Sequence, residues 1–355
     1  MLISILISRQ TLSICAFTPW IQQTISACKK IKENDNTLLT SLGQKTWNFQ
    51  LFCGSLFNLK MRVVVPAINQ EECKKICEHY KKQFHLDEKK VEFVFLASNS
   101  CLKNNYQRDQ YIIDNSELIV PISIRKNGFF YNNIKGFEKI DTSFQIDYVV
   151  HSLEKRKKIY KTIDENKINK FDKYLFHWTR MPKENWPDES QFDYYMSILK
   201  REGASRTAFD TLCNIIDKKV IYSSSRHAIK NCKIVSFTGS SIEQFFGLMR
   251  WRKKYNEMSY EPYGIGIDRE EAITIGFQKV LYCNPNEFDK FTIEEKKRYH
   301  SSGKKTNWSE ENEYRLFGDL DLTLIPNEKM ICICPNSDES IFIERKYGIK
   351  SYSLY

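Results

Sequence analysis

No apolar run in this 355-residue chain approaches the ~20 residues of a membrane-spanning helix. No membrane partner is expected. Several catalytic fingerprints are missing as well: G-x-x-x-x-G-K-[ST], H-E-x-x-H and G-x-S-x-G. GIGID at 264–268 lacks the third glycine of a dinucleotide fingerprint. These absences argue against a P-loop NTPase, a zincin and an α/β-hydrolase. The 11 cysteines are odd in number and show no framework spacing. Cys73 and Cys77 lie one helical turn apart, and His79 on that helix points away from both. Cys332 and Cys334 have no histidine near. Neither pair has a standard zinc spacing, so no metal is expected. Free thiols suit a reducing cytosol, and the expected location is cytoplasmic. MLISILISRQ lacks a basic n-region, and Arg9-Gln10 interrupts its apolar run, so it does not read as a signal peptide.

What is present is a folding composition. Hydrophobic residues make up 41% and aromatic residues 14%, too many for a disordered chain. The net charge of +10 suits an anionic partner, although the basic residues are scattered over lysine-rich helices.

Two organisations follow one another. NTLLT (36–40), KMRVVVPA (60–67), VEFVFLAS (91–98) and ELIVPISI (117–124) read as buried strands. Helical patterns at 46–58, 69–84 and 106–116 separate them. Such alternation implies parallel βαβ units, so 1–150 is expected to be an α/β, Rossmann-like domain. HSLEKRKKIYKTIDENKINKFDK (151–173) reads as a charged helical connector. From 174 to 355 short strands alternate with variable loops and helices: YLFHWT, KKVIYSS, KIVSFTG, YGIGID, KVLYC, YRLFGDLDL and MICICP. That pattern predicts an α+β domain with a mixed or antiparallel sheet.

WSEENEYR (308–315) crowds three carboxylates against an arginine. On a strand, Glu311, Glu313 and Arg315 share one face, and Glu310, Asn312 and Tyr314 the other. Arg315 can then hold one carboxylate in a bidentate pair while the other faces a developing positive charge. The plain alternative is a surface strand whose ion pair is worth under about 1 kcal/mol. FHWTR (176–180) places His177 and Thr179 on one strand face. VSFTG (235–239) does the same for Ser236 and Thr238, and EPYGIGI (261–267) offers Tyr263 as a stacking surface beside a glycine. Each also has an ordinary structural reading.

Taken in order, H-x-T, S-F-[ST], Y-G-[IV]-G-[IL] and W-x-x-E-x-E-[YFW]-R resemble a group of bacterial proteins that includes abortive phage-infection proteins of the AbiGi type. More distantly, the order resembles the ADP-ribosyltransferase superfamily. The resemblance covers about residues 174–345. It implies an ADP-ribosyltransferase-like fold, with NAD as substrate, in a phage-defence or toxin-antitoxin setting. His177 and Thr179 would hold the adenine-side ribose. Ser236 and Thr238 would support the nicotinamide-ribose side, with Tyr263 stacking on a ring and Arg315 beside them. Glu313 would be the catalytic carboxylate and Glu311 its upstream partner. The acceptor would be a protein or nucleic acid. The alternative is a non-catalytic antitoxin-like or ligand-sensing protein that keeps the fold.

YQRDQYIIDNSELIVPISIRKNG (106–128) resembles Rossmann-like nucleotide-sensing domains. With it come a candidate phosphate loop around Ser41 and Gly43 and a candidate phosphate partner, Arg108. An ordinary βα turn explains the same residues.

Overall fold

The structure is a computed structural model that describes residues 1–10, 15–98, 105–149, 171–200, 206–225, 232–249, 251–252, 257–301 and 308–354. The connector expected at 151–173 lies outside them up to residue 170. The chain forms two compact units, Met1–Ser152 with Lys183–Ser205, and Leu153–Pro182 with Arg206–Tyr355. Lys183–Ser205 thus groups with the first unit, although its sequence position falls among the strands of the second.

Five strands build the first unit: β1 (Leu2–Ile7), β2 (Thr37–Ser41), β3 (Lys60–Ala67), β4 (Val91–Ala97) and β5 (Leu118–Ser123). All neighbours pair in parallel, in the order β4-β3-β2-β1-β5. Helices α1 (Pro19–Glu33), α2 (Lys45–Leu56), α3 (Gln70–Phe84), α4 (Asn105–Asp114) and α5 (Phe129–Asn133) complete it. β1 and α1 have no counterpart in the sequence reading. In β1 the residues from Ile3 to Ile7 are all buried, so its apolar run has no alternation to mark it as a strand. Local signals set the helix ends. Pro19 opens α1. Asn69 caps α3 by accepting from the Glu72 N–H, and His85 ends it in a left-handed conformation. Apolar residues cover both faces of the sheet. Ile3, Ile5, Val63 and Val65 pack with Trp20, Phe49 and Phe52 on one side. Leu6, Leu39 and Val64 pack with Ile112 and Phe130 on the other. The helix Gln191–Lys200 adds Tyr195 to the first of these clusters.

The second unit is α+β. Its main sheet holds β6 (Tyr174–Trp178), β8 (Ile234–Thr238), β11 (Gly264–Asp268), β12 (Gln278–Lys279), β15 (Glu313–Phe317), β17 (Met330–Cys334) and β18 (Lys350–Ser353). Their order is β12-β15-β8-β6-β11-β17-β18, antiparallel except for β17 and β18. Three short pairs stand apart: β7 (Val220–Ile221) with β16 (Leu320–Asp321), β9 (Trp251–Arg252) with β10 (Glu257–Met258), and β13 (Leu281–Cys283) with β14 (Tyr299–Ser301). Capping boxes start the helices Ala208–Lys218, at Thr207 and Asp210, and Ile242–Leu248, at Ser241 and Gln244. Among the described residues no helix is long and apolar enough to cross a membrane.

Candidate functional site

β15, β8, β6 and β11 follow one another in the sheet, so the four strands that carry the quoted motifs are neighbours. β15 and β8 are in register over five pairs, including Glu313↔Thr238 and Arg315↔Ser236. β8 and β6 register only at Phe176↔Thr238. The sheet opens beyond that pair, and a cavity of about 840 Å³ lies there. Its walls include His177, Thr179, Ser236, Thr238, Glu311, Glu313 and Arg315.

Direct cross-strand partners share a face, so Phe176, Thr238 and Glu313 project together, and Ser236 and Arg315 with them. Glu313 is 8% exposed and Arg315 1%. The Arg315 Nε–H donates to Glu313 Oε1 at 2.9 Å, and its Nη2 donates to Oε2 at 2.9 Å. Ser236 Oγ donates to Oε1 at 2.6 Å. Behind them, the Glu313 N–H donates to the Tyr282 hydroxyl at 3.0 Å, and Arg315 Nη1 to the Tyr299 carbonyl at 3.1 Å. Burial pushes the Tyr282 phenol up to about 12.

Glu311 departs from the expected strand alternation. It closes the 3₁₀ turn Trp308–Glu311, and Asn312 adopts a positive φ of 41° before β15 begins. Thr238 Oγ1 and Ser240 Oγ donate to the carbonyls of Glu311 and Glu310, and Asn312 Nδ2 donates to the Gly239 carbonyl at 3.0 Å. The end of β8 therefore holds this turn, and Glu311 reaches the cavity from it. The hydroxyl of Thr238 serves the turn.

His177 projects from the opposite face to Glu313, by strand alternation from Phe176. Its ring lies 5.4 Å from Phe237. It reaches the cavity because the sheet opens there, and its Nδ1 bridges the gap to the Ser236 carbonyl at 3.0 Å. A carbonyl only accepts, so Nδ1 carries the proton and Nε2 remains an acceptor. Burial holds the His177 pKa below the usual imidazole value; the Ser236 contact opposes this, and Arg180 adds to it. Thr179 is buried, and its hydroxyl donates toward the carbonyls of Ala208 at 2.9 Å and Tyr263 at 3.2 Å.

Tyr263, expected to stack on a ligand ring, is not among the residues that line this cavity. Its side chain packs on Phe209, and its hydroxyl donates to Glu339 Oε1 at 3.1 Å. Nor does the Y-G-I-G glycine spacing serve a ligand here. A Cβ on Gly264 would meet Trp178 Cε3 at 2.7 Å, and one on Gly266 would meet Phe176 Cε1 at 2.6 Å. The glycines admit those two rings. Trp178 in turn stacks on Phe245, with centroids 3.8 Å apart and planes at 11°.

The sequence reading passed over Arg180, Arg252, Tyr260 and Trp178, which also line the cavity. Trp178 and Arg180 flank the chosen His177 and Thr179. Nothing in SYEPYGIGI distinguishes Tyr260 from Tyr263 by spacing. Burial raises the Tyr260 phenol pKa, and Glu311 and Glu313 add to the rise. Three arginines face two glutamates in the lining, an excess of one positive charge.

In the first unit Ser41 and Arg108 are buried support, and Gly43 beside them is exposed. Ser41 Oγ donates to the Val64 carbonyl at 2.7 Å. Gly43 has φ +88°, and its N–H donates to Asn48 Oδ1 at 3.1 Å. Arg108 is 0% exposed. It pairs with Asp109 at 2.7 Å, donates to the Leu42 carbonyl at 3.2 Å, and lies over Trp47. Its charge and donors are spent within the fold. Compared with known proteins, the chain matches no family model, no curated protein and no solved structure.

Proposed function

We propose that the second unit is an ADP-ribosyltransferase-like domain that binds NAD and cleaves it, with water or a macromolecule accepting the ADP-ribose. One observation carries the reading: the Ser236–Glu313–Arg315 cluster fixes a nearly dry carboxylate in the wall of a ligand-sized cavity. Loss of nicotinamide leaves an oxocarbenium-like ribosyl cation. A preoriented carboxylate stabilises that cation without reorganising. The net positive lining suits a ligand with a diphosphate, for which Arg180 and Arg252 are the candidate partners. His177 Nε2 can accept from a ribose hydroxyl, and Tyr260 and Trp178 offer aromatic surface. Glu311 is the second carboxylate, placed to orient or deprotonate an acceptor. The phase of biology we assign, phage defence or a toxin, rests on the motif resemblance alone. So does the Rossmann-like reading of the first unit as a nucleotide sensor, beyond its parallel α/β sheet.

A second reading is binding without turnover. Both carboxylate oxygens of Glu313 are already engaged by Arg315, which favours a structural ion pair. Incubation of the purified chain with labelled NAD and lysate separates the two. Nicotinamide release or labelled product supports transfer. Saturable NAD binding with neither product leaves the binding reading.

A further inference from the structure

The carboxyl edge of the parallel sheet in the first unit gathers cations that the fold leaves unpaired. β1 has β2 on one side and β5 on the other, so the strand order reverses at β1 and β5. In open parallel sheets the ligand-binding crevice lies outside the carboxyl ends of the strands at such a reversal. Three loops border it, 8–10 after β1, 42–45 after β2 and 124–128 after β5. They hold Arg9, Lys45, Arg125 and Lys126 and no carboxylate. Arg9 and Arg125 leave adjacent strands: Ile7 is in register with Ser123, and the Arg125 N–H donates to Ser8 Oγ at 2.9 Å. Among the described residues none of the four side chains has a hydrogen-bond or ion-pair partner. Burial holds the Lys45 ammonium below its usual pKa, and Lys183 and Arg9 act the same way against Glu184. The amino edge differs: Asp35 stands there, paired with Lys60 at 2.7 Å.

An aromatic surface adjoins these cations. Asn127 takes a positive φ of 59°, and the Gly128 N–H closes the turn onto the Arg125 carbonyl at 3.0 Å. That turn delivers Phe129, whose ring lies 5.4 Å from Tyr106 in the first turn of α4. Tyr106 is 66% exposed. Phe129 is half-buried behind it, and an exposed ring beside unpaired guanidinium groups suits a base and its phosphates.

We propose that this crevice binds a nucleotide, with its phosphates on Arg9 and Arg125, Lys45 and Lys126 flanking, and its base against Tyr106 and Phe129. The assignment is independent of the second unit's chemistry. It also moves the ligand away from Ser41 and Arg108, whose groups are committed inside the fold.

Calorimetry of the full chain tests it, with ADP, ATP, adenosine, inorganic phosphate and a short single-stranded oligonucleotide as probes. ADP and ATP should bind, and Arg9→Ser with Arg125→Ser should weaken both by at least about tenfold. Tyr106→Ala should weaken ADP by roughly fivefold or more and leave inorganic phosphate unchanged. All three residues lie at the surface, and unchanged melting would show that the variants fold. ADP binding that answers to Arg252→Ser and ignores the Arg9 and Arg125 substitutions would place the ligand in the second unit's cavity and overturn the proposal. So would no nucleotide binding at millimolar concentration. An oligonucleotide that binds far more tightly than ADP, with steep salt dependence, would replace the nucleotide by a nucleic acid.

Discussion

Arg315 holds Glu313 by two parallel hydrogen bonds of 2.9 Å, two residues apart on one strand. The side chains are 2% and 11% exposed, so the pair is nearly dry. Fork-to-carboxylate geometry of this kind removes the rotational freedom of the carboxylate. It also ties the reactivity of Glu313 to the stability of the fold, because neither charge can lose its partner cheaply.

Glu313→Gln separates those two effects. With Ser236 and Arg315 aimed at the same group, the amide keeps part of the bonding and loses the charge. If the carboxylate acts in the transition state, NAD turnover should fall by roughly 10²–10³ with little change in affinity. Stability should fall too, by up to about 3 kcal/mol, since Arg315 stays buried without a counter-charge. Turnover is therefore measured below the variant's melting temperature. Glu310→Gln is the control. Its side chain lies on the exposed turn, and turnover should not change. Equal loss in both variants would remove Glu313 from the chemistry.

Ser236→Ala tests positioning. The serine donates to Glu313 Oε1, and its loss leaves the Arg315 fork intact. We expect a stability loss of about 1 kcal/mol. Turnover should drop by about tenfold, with the loss in kcat and not in KM. Unchanged kcat would mean that Arg315 alone fixes the carboxylate.

Much of this was readable from the residues. β2 to β5 follow from β-branched runs between helical periods, and β6, β8, β11 and β15 from short apolar runs. β1 was not, because a strand buried on both faces looks like any apolar stretch. In WSEENEYR the alternation holds from Glu313 onward and fails at Glu311, because Asn312 turns the chain through a positive φ. Strand period cannot foresee that break. Arg108 illustrates a different gap: a basic residue ahead of a strand looks like a ligand contact until its burial against Asp109 is seen.

His177 sets a pH dependence. Its folded pKa lies below that of the unfolded chain, mainly through burial. Between the two values the unfolded state binds more protons, so stability rises with pH there. The contribution is complete above the unfolded value, about 6.5. It declines as pH falls below that and on through the folded pKa. Melting temperature should therefore drop more steeply from pH 7 to pH 5 in the wild type than in His177→Asn, whose amide can still donate toward Ser236. Parallel curves would show that His177 titrates as it does in the unfolded chain.

The two glycines of β11 make the sharpest structural forecast. Gly266 and Gly264 give way to the rings of Phe176 and Trp178, and those rings form a wall of the cavity. At Gly266 the nearest contacts of an added Cβ are Phe176 Cε1 at 2.6 Å and Ile331 Cγ1 at 3.0 Å. Neither side chain has room to retreat, since Phe176 and Ile331 share one buried cluster. Gly266→Ala should cost about 1–3 kcal/mol through overpacking. It should also weaken ligand binding in the cavity by displacing Phe176 toward it. Gly247 supplies the contrast. It sits in the helix Ile242–Leu248 with nothing within 4 Å of an added Cβ. Gly247→Ala should raise stability by about 0.5–1 kcal/mol, as helix propensity alone dictates. Thermal melts of the two variants beside the wild type decide the matter. A neutral Gly266→Ala would mean that the aromatic wall yields, and that Gly266 is in β11 for some reason other than ring packing.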